Sequence, residues 1–433
     1  MMAMFKTSVI ILLVAVTACF GSDVHAATIA ATACSNTAVQ NAINSAASGD
    51  TVTVPAGDCT WSSPVTISGK AITLRGAGVD QTTITRNTAV RDSALGIGVP
   101  SSGAVTLTGF TFQTIPSAQW GIVSIGGGLR PAFRVTHCKF IVAPTSYTVG
   151  SRALAIFDAY GVVDHCTFIN TSQNCQSITL DGTGSAALTA NWSTLQTYGD
   201  PNTVVIEDCA FTNTYQGDGA IDAYDGNKFV FRHNTVTGTL VAWHGADSSP
   251  RAPRLFEIYQ NTFTANANGP WMFIRSRGGT GVLWGNTMTG ASTGFCLLSH
   301  YRADPSYGDP PGSAQDGGFN VTDPGPGYPT GYPLLDQVGR GSFPSGNPGN
   351  WPNRYPYTTA EYEALEPMYQ WNNTYNGNTS PTCEVGNPTQ SATYIVQGRD
   401  YYDNVRKPGY TPLAYPHPFA VPPSLPQNLR VGH

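Results

Sequence analysis

Charge is the property this chain has least of. Of its 433 residues, 22 are Lys or Arg and 27 are Asp or Glu, so charged side chains make up 11% where about a quarter is usual. That scarcity argues against a helical bundle, whose exposed faces are built from Glu, Lys and Arg. The basic residues are scattered with no basic block, and the formal net charge is −5, which excludes the electrostatic footprint of a nucleic-acid binder. Past residue 26 no uncharged apolar run approaches the ~18 residues that a membrane-spanning helix needs. Present in quantity are Gly (47) and Pro (31), together with 41% hydrophobic and 11% aromatic residues. This is enough for a core and below the Gly and Pro content of low-complexity disorder, so the chain is expected to fold, mostly as strands and turns.

Residues 1–26 read as a signal peptide: Lys6, an apolar run from Val9 to Phe20, and Val24-His25-Ala26 as a small-residue cleavage site. Secretion or periplasmic export follows. In the alternative, Val16-Thr17-Ala18-Cys19 is similar to a bacterial lipobox, residues 1–18 are the signal, and a lipidated Cys19 makes the protein an outer-membrane lipoprotein. Export places the cysteines in an oxidising compartment. Cys34 and Cys59 bracket an N-terminal cap and are the expected disulfide, while Cys175, Cys296 and Cys383 leave room for a second bridge.

One short pattern recurs: β-formers at alternate positions, a polar or small residue, an anchor, one further residue and an apolar one. Arg134-Val135-Thr136-His137-Cys138-Lys139-Phe140, Val205-Ile206-Glu207-Asp208-Cys209-Ala210-Phe211 and Glu257-Ile258-Tyr259-Gln260-Asn261-Thr262-Phe263 are three copies. Anchors at 110, 138, 166, 209, 234, 261 and 286 stand 28, 28, 43, 25, 27 and 25 residues apart, and Asn373 carries another copy. About 25 residues suffice for two or three short strands with tight turns, and one such coil cannot bury its own apolar side chains. Stacked coils can, with like positions forming columns about 4.8 Å apart. An anchor Asn tolerates the left-handed turn and bonds its neighbours above and below. Cys138, Cys166 and Cys209, sharing the anchor position in successive coils, are expected to be free core thiols.

These repeats resemble the right-handed parallel β-helix proteins of the pectate-lyase-like superfamily. The resemblance implies an all-β solenoid over residues 27–433 as a single domain. An amphipathic capping helix at Thr37 to Ala47 leads into Gly49-Asp50-Thr51-Val52-Thr53-Val54-Pro55. The pattern dissolves into a loop-rich insertion over about 301–357, a short helix is expected at Thr358 to Glu366, and residues 394–433 read as a strap over the last coil. The superfamily hosts lyases, hydrolases and adhesins, so fold alone does not give activity.

The chemistry is sought on the strand that precedes each Gly-led turn. Aligned on that Gly, Tyr160, Asp225, His244 and Arg277 share one column, and Asp158, Ala223, Ala242 and Arg275 share another. A His between a carboxylate and a guanidinium feels both and is suited to proton transfer near neutrality. The expected catalytic set is His244, Arg275, Arg277, Asp222 and Asp225. Tyr160, Tyr224, Arg251, Arg254, Glu257 and Arg302 are expected to bind substrate, and Trp243 to point into the core. The resemblance implies a polysaccharide lyase acting on a uronate-containing polymer by β-elimination, with Asp218, Asp222 and Asp225 as candidate Ca²⁺ ligands and no organic cofactor. Two alternatives stand beside it: a glycoside hydrolase pairing Asp222 or Asp225 with Glu257, and a non-catalytic glycan-binding or surface protein. The partner is a polysaccharide, a membrane is involved only through lipidated Cys19, and the protein is expected to be a monomer.

Overall fold

The computed structural model describes residues 26–86, 92–114, 120–143, 151–171, 175–182, 185–214, 219–245, 252–267, 269–301, 334, 336–342 and 364–420. Each coil contributes up to three strands, and each strand pairs in parallel with its counterpart one coil away, making three ladders. The first ladder includes Val105–Thr108, Val204–Glu207, Lys228–Arg232, Leu255–Tyr259, Thr280–Trp284 and Met368–Trp371. Across the turn lies the second ladder, including Lys139–Val142, Thr167–Asn170, Ala210–Asn213 and Thr235–Thr237. Cys175–Asp181, Ile221–Ala223, Val241–Ala242, Met272–Ser276 and Gly294–Leu298 belong to the third. Two long strands, Trp120–Thr136 and Ser151–Asp164, run from the third ladder into the first without a break. The architecture is a parallel β-helix, as the repeats predict.

The interior is built from columns of like residues. Phe112, Phe140, Phe168 and Phe211 stack with centroids 5.7, 5.0 and 4.9 Å apart. Where the anchors are asparagine they form an amide ladder: Nδ2 of Asn234, Asn261 and Asn286 donates to Oδ1 of Asn261, Asn286 and Asn373 at 3.1, 2.9 and 2.9 Å. Each of these bonds adds about 1 kcal/mol net, and leaving such a buried amide unpaired would cost more. The left-handed residue, however, is the one before the anchor: His137, His165, Asp208, His233, Gln260 and Asn372 have φ between 49° and 55°. The anchor itself is buried. The polar residue thus takes the turn outside the coil and the anchor bonds within it.

Ser35 caps the helix Asn36–Ser45, its hydroxyl accepting from the Ala38 amide, and Val39, Ala42 and Ile43 face the first coil. At the other helix end Lys70 Nζ donates to the carbonyls of Ile43, Asn44 and Ala46 at 2.8–2.9 Å, satisfying acceptors the helix leaves open. Among the described residues two disulfides form, Cys34–Cys59 and Cys296–Cys383. A closed loop of the first one's size adds about 3 kcal/mol. Cys138, Cys166, Cys175 and Cys209 are buried and take no part in either bridge. The two bridges fit an oxidising compartment, and among the described residues no helix is long and apolar enough to cross a membrane.

Most of the expected insertion and residues 358–363 of the expected helix lie outside the described residues, as does the signal segment except Ala26; the end of that expected helix, Ala364 to Glu366, is extended instead, with Leu365 in an antiparallel bridge to Arg340. Met368–Trp371 rejoins the stack, pairing Tyr369 with Val282. The C-terminal strap differs from expectation. Instead of covering the last coil it runs back along the outer face of the first ladder, from Tyr410 on Glu257 to Ala420 on Arg134. Glu207 and Arg232 pair beneath it, both side chains fully buried, and the strap carbonyls of Leu413 and Ala414 accept from Arg232. One outward column runs Asp164, Glu207, Arg232 and then Tyr259, Trp284 and Trp371, and the other holds Val162, Val205 and Val230; the strap meets the charged part with backbone acceptors and donors and packs Leu413 and Phe419 on the valines.

Candidate active site

The outer face of the third ladder holds the chemistry. Ile178, Ile221, Val241, Ile274 and Cys296 form one inward column, all buried in the core. Strand alternation turns the next residues, Thr179, Asp222, Ala242 and Arg275, outward. Two residues further on come Asp181, Tyr224, His244 and Arg277, with the ladder continued by the Tyr224 amide on Leu180 O and the His244 amide on Ala223 O. Trp243 points inward, fully buried, with its indole N–H on Gly278 O at 2.9 Å.

This register corrects the alignment on glycine by one residue. Tyr224, not Asp225, occupies the position beside His244 and Arg277, and Asp222, not Ala223, lies level with Ala242 and Arg275. The cause is the turn. Asp225 and Gly226 both take left-handed φ (58° and 77°), a two-residue corner where the next coil goes directly from His244 to Gly245. Asp225 is buried in that corner with its carbonyl against Gly182.

His244 Nδ1 meets Asp222 Oδ1 at 2.5 Å. The carboxylate is nearly buried (5% exposed) and the imidazole is open to solvent (27%). Asp222 Oδ2 accepts from Gln176 Nε2 at 2.6 Å, and Gln176 Oε1 accepts in turn from Arg152 Nε at 3.0 Å and Thr179 Oγ1 at 3.3 Å. Arg152 reaches the Tyr224 hydroxyl at 3.4 Å, and that hydroxyl donates to Asp181 Oδ2 at 2.8 Å. Burial pushes the Tyr224 phenol well above its ordinary range, so it stays a proton donor. Its ring stands edge-on to His244, centroids 5.7 Å apart. The network fixes both oxygens of Asp222, and through Asp222 the imidazole, with Nδ1 committed and Nε2 left to take up a proton.

One coil on, Arg275 bonds the Tyr301 hydroxyl and lies 5.7 Å from the Trp271 ring centroid and 5.2 Å from that of Tyr301. Arg277 lies 5.3 Å from the same Tyr301 centroid and donates to Trp243 O at 3.1 Å. The buried Nε of Arg275 has no acceptor among the described residues. Two guanidiniums held on aromatic faces beside an imidazole suit an anionic ligand.

The structure brings together Asp222, Tyr224, His244, Arg275 and Arg277. Other expected residues go elsewhere. Glu257 is on the first ladder, accepting from the Gly199 amide and the Tyr410 hydroxyl at 2.7 Å each, and burial raises its pKa. It therefore does not pair with Asp222 or Asp225 across a scissile bond. Arg254 is fully buried on Glu366 at 2.7 Å with its guanidinium 5.4 Å from the Trp192 ring centroid. Tyr160 is buried under the segment around Asn191, whose side chain donates to its hydroxyl at 3.0 Å, and desolvation pushes the phenol up to about 12. The segment 185–203, which accounts for the 43-residue spacing, covers these three positions. Asp218, Arg251 and Arg302 lie outside the described residues. Among the described residues no group of three His, Cys, Asp or Glu gathers to hold a metal. Arg152, Gln176 and Asp181 are functional candidates that sequence reasoning missed; Arg152 and Asp181, two of the scarce charges in the coils just before Asp222, were the available signal.

No family model matches the chain, and no curated protein matches it. Among solved structures it is similar to the crystal structure of an alginate lyase from Paenibacillus sp. str. FPU-7, at 14% identity and a TM-score of 0.33, over 63% of this chain and 93% of that one. At that score the β-helix assignment rests on the three ladders of this chain, and these comparisons place it in no family.

Proposed function

We propose that the protein is an exported carbohydrate-active enzyme that cleaves a uronate-containing polysaccharide by β-elimination. The observation that carries the reading is the Asp222–His244 pair, set at the exposed edge of a buried network with Arg275 and Arg277 one coil away. In this reading His244 Nε2 takes the proton α to the uronate carboxylate, and the electron pair moves into that carboxylate. Arg275 and Arg277 stabilise the charge that develops there. The pair then forms the new double bond as the glycosidic C–O bond breaks, and the leaving oxygen takes a proton from solvent. Asp222 holds the imidazole in the tautomer that exposes Nε2 and stabilises the imidazolium.

Glycoside hydrolysis is less well served, because Asp222 is committed to His244 and Glu257 lies under the strap on another ladder. The test is incubation with pectate, alginate and glycosaminoglycans, with added Ca²⁺ and with chelator, following ultraviolet absorbance of the unsaturated product and reducing ends. Absorbance should rise with one of these polymers and fall about 10²–10⁴-fold in His244→Ala. Reducing ends without absorbance would indicate hydrolysis, and silence on both readouts would favour a binding protein.

A further inference from the structure

The strap does not close the whole outer face of the first ladder. Near the last coils it leaves a cleft of 270 Å³ lined by Trp284, Trp371, Asn372, Arg406, Tyr410 and Pro412. That volume is just below the ~300–1,000 Å³ of small-molecule sites. The cleft shares no residue with the His244 site, and it is on a different ladder.

Its walls are ordered by direct contacts. The indoles of Trp284 and Trp371 are parallel within 5° at 5.9 Å, continuing a stack that begins with Tyr259. Tyr410 stands edge-on to both, at 6.3 and 5.5 Å. Trp284 Nε1–H donates to the Tyr410 hydroxyl at 3.2 Å, and that hydroxyl donates to Glu257 at 2.7 Å, so strap and floor are tied to a buried carboxylate. Two exposed polar side chains complete the lining. Asn372 projects from the left-handed turn (φ 52°), and Arg406 comes from the strap. Both faces of Trp284 are taken, by Tyr259 and Trp371, so the stack gives the cleft a rigid apolar wall of indole edges against which the C–H groups of a sugar ring can pack, while an amide takes its hydroxyls and a guanidinium takes a carboxylate in a fork. A neutral apolar ligand would use that wall and leave the guanidinium without a partner.

We propose that this cleft is a second binding site for an acidic saccharide unit, separate from the site of cleavage. It shares the ligand class of the reading above but none of its residues. The test uses the full chain with ¹⁵N-labelled tryptophan in the His244→Ala background, which prevents turnover, and follows the indole signals assigned with Trp284→Phe. A galacturonate or mannuronate trimer should shift the Trp284 and Trp371 signals in a saturable way. Cellotriose should bind at least tenfold more weakly, and exposed Arg406→Gln should weaken the uronate trimers by a similar factor. The proposal is overturned if those two signals stay still, if the neutral trimer binds equally well, if Arg406→Gln changes nothing, or if only the Trp243 and Trp271 signals beside His244 move. Polymer cleavage without movement of Trp284 removes the cleft alone; movement without cleavage removes the lyase reading and leaves the cleft.

Discussion

On the outer face of the first ladder, Glu207 and Arg232 pair at 2.6 Å with no exposure of either side chain, while on the third ladder Asp222 pairs with an imidazole that is 27% exposed. Both pairs are made in the same way, by outward residues of parallel strands one coil apart. On the first ladder the remaining hydrogen-bonding capacity is taken by the strap, through Leu413 O, Ala414 O and the His417 amide. On the third, Asp222 is saturated by Gln176 and His244, but the far side of His244 faces solvent. The lesson is that a charged column on a solenoid is structural when the chain itself supplies the last partner, and a candidate for chemistry when solvent or ligand must.

If that contrast is right, the largest effect on stability belongs to the sealed face. Arg232→Met leaves Glu207 buried without its cation and should cost about 3–5 kcal/mol in denaturant unfolding. His244→Ala, measured in the same way, should change stability by less than about 1 kcal/mol. A large loss from His244→Ala would erase the distinction.

Next comes the open face. Asp222→Asn keeps shape and removes the charge behind the imidazole, so turnover should fall by about a hundredfold or more, roughly 2.7 kcal/mol. Unchanged turnover would mean that Asp222 is a packing residue like Glu207.

Acid separates the two faces by a smaller amount. Desolvation, then the charge of Arg232, lowers the His417 pKa to about 4, and its Nδ1 accepts from the Phe419 amide at 3.1 Å, a bond that protonation removes. The folded chain therefore resists a proton that the unfolded chain takes up near 6.5, so stability contributed here is full above about 6.5 and is lost as pH falls towards 4. The melting temperature should drop over that window, and His417→Asn should flatten the drop. The smallest effect is at the rim: Tyr415→Phe loses one exposed hydrogen bond to Asp208 and should cost under about 1 kcal/mol.

The coils were legible because they repeat: a buried anchor, mostly 25–28 residues from the next, with a polar residue or glycine just before it marks one coil after another. The free thiols at 138, 166 and 209 followed from the same columns, whereas the Cys34–Cys59 bridge followed from the way its two residues bracket the N-terminal cap. The site was legible only to within a residue. Counting back from Gly226 assumes that every corner has the same length, and the left-handed Asp225 breaks that assumption. In a strand one residue of slip exchanges inside for outside. Arg152 and Gln176 were missed because they act across two coils, a contact that no local pattern encodes. Glu257 and Arg254 looked like site residues because scarce charges attract attention wherever they fall, and only the strap and the segment 185–203 show that these two are enclosed.

The strap also changes how the molecule must assemble. A solenoid whose coils touch only their neighbours can grow from one end as the chain emerges and fray from either end. Here Arg134 waits for a carbonyl that lies 286 residues later in the chain. Until the strap arrives, Glu207 and Arg232 lack their partners at Leu413, Ala414 and His417, and laying it down ties the coils from Arg134 to Trp371 together. Export that delivers the C-terminal residues last would therefore leave the protein loose and unfinished for most of its passage, and set rigid in its final moments.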